Sequence, residues 1–328
     1  MGEILEDFAL NRQINKQGGI RKIGVVGCGA VGQEITKVAA RSGIDVVFVE
    51  SSDERVAKVF ESLDHDLDNM IARWGITASD KRLILSRISG SSAMKELSQC
   101  DLVIEAISTA TKSAGAAIEF RRNLFREIEE IVPRDTVLSS NASTLLVSDL
   151  GSALKHPERM LGLSFMVSPT MVKTVEVVKG WETSEETFTK ACRFVQTIGK
   201  KPVEVRESPG NISTRLIIVL INEACEIFLE GTASIEGIDQ TMKFGYGLQS
   251  GPFEMADKIG IDRIVKYADN LFMEFGLFKF KPSPILKRLA RSKQVGRRSG
   301  RGFYLYDDKG KNIGLNLPLI DFSADRRP

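Results

Sequence analysis

From Lys22 onward, short apolar runs alternate with longer amphipathic ones. IGVVG (23–27) reads as a buried strand, AVGQEITKVAARSG (30–43) as a helix ending on Gly43, and DVVFVE (45–50) as a second strand. A polar helix follows over 53–73; LILSRIS (83–89) reads as a strand, a short helix lies near 92–98, and DLVIEAIS (101–108) is the next strand. A helix over 118–132 stops at Pro133, and TVLSSNAS (136–143) precedes a helix at 145–154. MLGLSFMV (160–167) and KTVEVV (173–178) follow with no helix between them. Thr183-Ser184-Glu185-Glu186 is a capping box opening a helix that runs to Gly199, and VEVRES (203–208) is the last strand of this half. Short apolar strands separated by helices predict an α/β fold, a doubly wound, Rossmann-type parallel sheet.

After Pro209-Gly210 the period becomes helical, with helices expected over 211–230, 234–244, 252–276 and 283–294, and only GFYLY (302–306) strand-like. The expected organisation is an extension over 1–20, a nucleotide-binding domain over 21–207 and an all-helical C-terminal domain over 208–328. The run Leu216, Ile217, Val219, Leu220 and Ile221 is apolar on several faces. It reads either as a central buried helix or as a helix that packs against another molecule.

Lys plus Arg number 45 and Asp plus Glu 43, a net charge of +2 that argues against a dedicated nucleic-acid binder. No run approaches the ~20 apolar residues of a membrane span, and the acidic N-terminus is no secretory signal, so no membrane partner and a cytoplasmic location are expected. Cys28, Cys100, Cys192 and Cys225 form no C-x-x-C pair and signal neither a zinc site nor a redox motif, so no metal is expected. Histidine is the scarce residue: the chain has only His65 and His156. Histidine is the usual general acid or base near neutral pH, so the count bears on mechanism.

Gly27-Cys28-Gly29-Ala30-Val31-Gly32 matches G-x-G-x-x-G where a strand opens into a helix. Gly27 permits the tight turn, Gly29 lets the backbone approach a pyrophosphate, and Gly32 lets the helix pack closely on the strand. Glu50 ends the second strand, placed to accept ribose hydroxyls and to repel a 2′-phosphate. The next residues are Ser51, Ser52 and Asp53, with no arginine directly following, which favours NAD as cofactor.

Further segments resemble the L-3-hydroxyacyl-CoA dehydrogenase family: DLVIEAI (101–107), SSNAS (139–143), GLSFMVSPTMVKTVEVV (162–178), SPGNISTRLIIVLINEA (208–224), GPFEMADKIGID (251–262) and GRRSGRGFYLY (296–306). Their order holds from Lys22 to Tyr306. The resemblance implies an NAD-binding Rossmann domain and a helical domain that closes over an acyl or acyl-CoA-like substrate and mediates homodimerisation. It implies hydride transfer between C3 of a 3-hydroxyacyl substrate and NAD, with a histidine as base and a glutamate orienting it.

The sequence departs from that pattern at the reacting centre. Ser164 stands at the family's histidine, while Glu176 keeps the place of its glutamate. Val167 and Thr214 replace family asparagines, Ala116 falls at the nicotinamide-side glutamate, and Arg121 falls at the family's lysine beyond an insertion over 108–120. Asn141 and Ser143 are retained, as groups for the substrate hydroxyl and the nicotinamide edge or as simple strand-end caps. Glu61 to Asp68 carries acids and no Lys or Arg, either a face that disfavours a phosphorylated CoA tail or a solvated surface. His156 falls eight residues before Ser164, at the far end of a strand, and His65 lies in the acidic helix. Glu176 is then either a base, acting directly or through water, or a residual carboxylate satisfied by Ser164 or Lys173. Two readings follow: an NAD-dependent oxidoreductase with a remodelled site, or an inactive homologue that binds NAD or an acyl ligand as a sensor or partner.

Overall fold

The computed structural model describes residues 19–73, 75–108, 114–166 and 169–316. Two compact units divide the chain at Asn211 and Ile212. In the first, β1 (Lys22–Val26), α1 (Ala30–Arg41), β2 (Asp45–Val49), α2 (Asp53–Ala72), α3 (Ala78–Leu85) and β3 (Ile88–Ser91) follow in order. They continue through β4 (Leu102–Glu105), α4 (Ala114–Ile131), β5 (Val137–Ser140), α5 (Val147–Gly151), β6 (Met160–Phe165), β7 (Thr174–Lys179), α6 (Glu185–Thr197) and β8 (Lys201–Arg206).

The strands form one eight-stranded sheet in the order β3-β2-β1-β4-β5-β6-β7-β8. All neighbouring pairs are parallel except β6 with β7. The short β6–β7 connection, with no crossover helix, forces that reversal. One sheet face buries Ile23, Val25, Ile104, Leu161, Leu163 and Val177 with Ile35 and Ala39 of α1 and Phe194 of α6. The other buries Val26, Val103, Leu138 and Met160 with Phe125 and Ile128 of α4 and Leu150 of α5. Burial on both faces is why the strands read as continuous apolar runs rather than alternating ones.

Three expected elements differ. The run 83–89 is not a strand: residues 78–85 form α3, and only Ile88–Ser91 joins the sheet. A capping box starts that helix, with Asp80 N–H donating to Thr77 Oγ1 (3.1 Å) and Thr77 N–H to the Asp80 carboxylate (2.8 Å). The helix expected at 118–132 begins at Ala114, so residues 114–120 of the presumed insertion are helical; residues 109–113 lie outside the described ones. The helix expected over 252–276 is two, broken at Gly260, whose φ of 105° no helix accommodates.

The second unit contains α7 (Ser213–Leu229), α8 (Ile235–Gln240), α9 (Pro252–Ile259), α10 (Ile261–Phe275) and α11 (Pro284–Arg291). It is not entirely helical: β9 (Tyr304–Tyr306) and β10 (Asn312–Leu315) make an antiparallel hairpin. Its core gathers Ile218, Ile221, Phe228, Phe253, Leu271, Leu286 and Phe303. Among the described residues, no helix is long and apolar enough to cross a membrane.

Candidate functional site

The carboxyl ends of β1, β4, β5 and β6 line one edge of the sheet, and the chain order reverses between β1 and β4. That reversal is where open α/β sheets leave a crevice for ligands. The glycine turn lies there. Gly27 has φ of 87°, and a Cβ on it would lie 2.6 Å from Ile107 Cγ1. A Cβ on Gly32 would lie 2.3 Å from the Gly27 carbonyl oxygen, so this glycine sets the approach of α1 to β1. A Cβ on Gly29 would meet nothing within 4 Å, so the backbone faces open space there. Gly29 is the N-cap of α1 and supplies no side-chain acceptor. The first intrahelical bond runs from Gln33 N–H to the Gly29 carbonyl at 2.9 Å, so the preceding donors, those of Ala30, Val31 and Gly32, have no acceptor inside the helix. An open helix N-terminus with uncovered N–H groups suits a pyrophosphate.

Glu50 is buried beside this turn. Its Oε1 accepts from Cys28 N–H at 2.7 Å, which fixes the carboxylate against the glycine loop. Its Oε2 accepts from Ser51 N–H at 3.3 Å and from Arg55 Nε at 2.8 Å. Arg55 is a residue the sequence reading missed: it follows no fixed offset from the strand end, and the first turn of α2 carries it back to Glu50. Glycine turn, open helix end and buried carboxylate together fit a dinucleotide.

Farther along the same edge, Glu105 ends β4 fully buried. Its carboxylate accepts from Ile107 N–H (2.8 Å), Arg121 Nε (2.9 Å) and Ser140 Oγ (2.6 Å). Arg121 Nη2 also donates to the Ile107 carbonyl at 2.8 Å. Arg121 is thus engaged by protein groups and holds the backbone that faces Gly27. Glu105 and Ser140 were absent from the sequence-based candidates, although an acid inside DLVIEAI was a signal. A buried carboxylate in an apolar strand needs a cation and donors.

Asn141 Oδ1 accepts from Phe165 N–H at 2.8 Å and so joins the ends of β5 and β6. Ser143 lies two residues on, half-buried, and its carbonyl accepts from Gly210 N–H at 2.8 Å. Ser164 and Glu176 are direct partners in the antiparallel β6–β7 register. Directly opposed side chains project to one face with Cβ atoms about 4.5–5.5 Å apart. Ser164 is 6% exposed and Glu176 is 2% exposed. The candidates therefore fall in two clusters. Gly27, Gly29, Ala30, Val31, Gly32 and Glu50 surround the β1–α1 turn, and Asn141, Ser143, Ser164 and Glu176 occupy the β5–β7 end, with Arg121 and Glu105 between them. Val167 lies outside the described residues, Ala116 is in the first turn of α4, and Thr214 is in the first turn of α7.

Neither histidine is near Ser164. His65 is exposed on α2, and His156 precedes β6 at the opposite edge, its Nδ1 3.3 Å from Glu158. The acidic run of α2 is partly compensated: Lys81 lies 2.7 Å from Asp64 and 2.6 Å from Asp68, and Lys37 pairs with Asp66. Lys81 lies ahead of the expected strand 83–89, inside the helix α3 that replaces its first part. These carboxylate partners hold the Lys37 and Lys81 ammonium groups above their ordinary range.

A doubly wound sheet with a glycine turn and a buried acid at its switch point defines a dinucleotide-binding protein of the Rossmann class. The NAD binding domain of 3-hydroxyacyl-CoA dehydrogenase matches residues 22–208, and the C-terminal domain of the same enzyme matches residues 210–306. The chain belongs to the 3-hydroxyacyl-CoA dehydrogenase family, and its cofactor is NAD. It is 33% identical over 286 residues to a 3-hydroxybutyryl-CoA dehydrogenase of Clostridioides difficile, spanning 87% of this chain and 99% of that protein. Among solved structures, FadB2 of M. tuberculosis matches with a TM-score of 0.84 at 28% identity, covering 88% of this chain and all (100%) of that one. (S)-3-hydroxybutyryl-CoA dehydrogenase PaaH1 of Ralstonia eutropha matches with a TM-score of 0.79 at 31% identity, with the same coverage of 88% and 100%.

Proposed function

We propose that this protein is an NAD-dependent oxidoreductase that interconverts 3-hydroxyacyl and 3-oxoacyl substrates by a proton path without imidazole. The names of its relatives point to acyl-CoA thioesters as the substrate class. The observation that carries the reading is the buried pair Ser164 and Glu176, directly opposed across β6 and β7 at the ligand edge of the sheet. The nicotinamide supplies the hydride acceptor or donor. Oxidation of the substrate alcohol also releases a proton. Ser164 Oγ takes it as its own proton passes to the Glu176 carboxylate; reduction runs the relay backwards. A serine alone is too weakly basic at neutral pH, so the carboxylate carries the basicity. Asn141 accepts through Oδ1 from the β6 backbone, which leaves its Nδ2 to donate to a substrate or nicotinamide oxygen. Ser143 adds a hydroxyl at the same strand end. Arg121 acts through the Ile107 backbone as a positioning residue.

NADH oxidation in the presence of acetoacetyl-CoA, and of free 3-oxo acids, tests this. Turnover that falls about 10²–10⁴-fold in Glu176→Gln is the expected result. A second reading, a homologue that binds NAD or an acyl ligand without turnover, is favoured by one observation: both histidines lie away from Ser164. Tight NADH binding with no turnover on any of these substrates selects it. We also infer a homodimer formed through the second unit, supported by exposed Leu216, Phe244, Met273 and Phe278.

A further inference from the structure

A bare carboxylate at the end of β2 selects NAD in two ways. It accepts the ribose hydroxyls, and its charge repels a phosphate on the 2′ oxygen. In this protein the carboxylate is not bare. Arg55 Nε donates to Glu50 Oε2 at 2.8 Å and offsets the charge that would do the repelling. The contact runs through Nε, so the two terminal nitrogens of the guanidinium fork take no part in it. The Arg55 side chain is 59% exposed where Glu50 is 6% exposed, so the cation forms the outer surface and the anion the inner one. The arginine is held in place from behind. Its backbone N–H donates to Ser52 Oγ at 3.3 Å, the N-cap of α2. The hydroxyl-bearing Ser51 is exposed beside it. Of the acids nearby, Glu54 is paired with Lys58 at 2.6 Å, and Asp53 is exposed at the first position of α2.

We propose that Arg55 makes the ribose end of the cofactor site accept a 2′-phosphate, so that the protein binds NADP(H) as well as NAD(H). A guanidinium fork matches a phosphate through paired charge-assisted hydrogen bonds, and an exposed arginine held by one N–H has the others to offer. The inner oxygen of Glu50, fixed by Cys28 N–H, keeps the glycine loop in shape whichever nucleotide is bound.

Titration of the full chain with NADH and with NADPH, followed by the fluorescence of the bound nucleotide, tests the proposal, with adenosine 2′,5′-bisphosphate as a competitor whose difference from adenosine 5′-monophosphate reports the 2′-phosphate. Wild-type protein is expected to bind NADPH within about tenfold of NADH. Arg55→Met is expected to weaken NADPH and the bisphosphate by about ten- to a hundredfold, with NADH changed less than about threefold. Arg55→Lys should recover part of the NADPH affinity, since a cation returns without the fork. Three results overturn the proposal: NADPH bound more than about tenfold more weakly than NADH by wild type, Arg55→Met weakening both nucleotides alike, or neither nucleotide binding. In the second, Arg55 only props Glu50; in the third, the fault lies with the dinucleotide site rather than with Arg55.

Discussion

Ser164 and Glu176 face each other on strands whose register fixes the pairing, so a side chain can be exchanged at one without moving the other. Placing an imidazole at Ser164 puts it where Glu176 already waits as partner. Ser164→His is therefore expected to raise the rate of acetoacetyl-CoA reduction by about 10²-fold or more, and a further Glu176→Gln should reverse most of the gain. Steady-state NADH oxidation in the single and double variants checks this. If Ser164→His gives no gain, the substrate pocket has diverged along with the base. A second expectation at this scale concerns Arg121. Removing its guanidinium leaves Glu105 charged and fully buried beside the Ile107 N–H and Ser140 Oγ donors. Arg121→Met is expected to cost about 3–5 kcal/mol of stability in urea unfolding, since breaking one side of a buried pair strands the other. A cost below about 1 kcal/mol would mean that the Ile107 and Ser140 donors satisfy the Glu105 carboxylate without the guanidinium.

The hairpin of the second unit hangs on two buried acids. Asp257 accepts from Phe303 N–H (3.0 Å), Tyr304 N–H (2.9 Å) and the Tyr306 hydroxyl (2.9 Å). Asp239 accepts from Phe253 N–H (2.8 Å), Glu254 N–H (3.0 Å) and the Tyr304 hydroxyl (2.9 Å). A Cβ on Gly302 would lie 2.0 Å from Asp257 Oδ1, and one on Gly251 would lie 2.3 Å from Asp239 Cγ, so both glycines of the G-P-F and G-F-Y segments exist to admit these carboxyls. Burial pushes the Asp257 carboxyl up from 3.8 to about 6, with Asp239 adding repulsion and the three donors pulling the other way. A carboxyl raised on folding stabilises the fold below its unfolded value, and that contribution is lost as pH rises through the folded one. The Asp257 contribution is therefore complete below about pH 4 and gone above about pH 6, a change of about 3 kcal/mol. Denaturant unfolding across this window, compared between wild type and Asp257→Asn, should show the wild-type advantage shrinking as pH rises; a constant difference would refute it. The same scale shows where sequence pattern stops informing. LILSRIS has the length and apolar content of a strand, and periodicity cannot separate that from a helix. The Thr77–Asp80 box two turns upstream decided it. The missed helix also hid Lys81, and with it the neutralisation of the acids on α2. Arg55 escaped because its link to Glu50 crosses a strand–helix boundary, and Glu105–Arg121 because the pairing joins elements sixteen residues apart.

At the scale of the molecule, the doubly wound sheet, the glycine turn and the second-unit motifs were legible because each is a local pattern: a period, a spacing or a capping signal. What was not legible depends on which faces meet a partner. The apolar run of α7 illustrates this, since sequence left it open between a central helix and an intermolecular one. Ile218, Ile221, Ala224, Cys225 and Phe228 are buried in the second unit, while Leu216 is 66% exposed on the same helix. One face thus serves the core of its own unit and another carries apolar surface toward solvent. Met273, Leu277 and Phe278 add exposed apolar area at and beyond the end of α10. Scattered apolar residues are ordinary on a surface, and the proposed homodimer is what would cover these. For the proposed homodimer, sedimentation equilibrium of the wild type should give twice the chain mass. Leu216→Glu places a charge on the exposed face without touching the buried one, so it should shift the equilibrium to monomer with the circular dichroism spectrum unchanged. A wild type that sediments as a monomer at micromolar concentration, or a Leu216→Glu variant that stays dimeric, would assign this face to some other role. The two results differ in meaning: the first removes the dimer, the second only moves its interface away from α7.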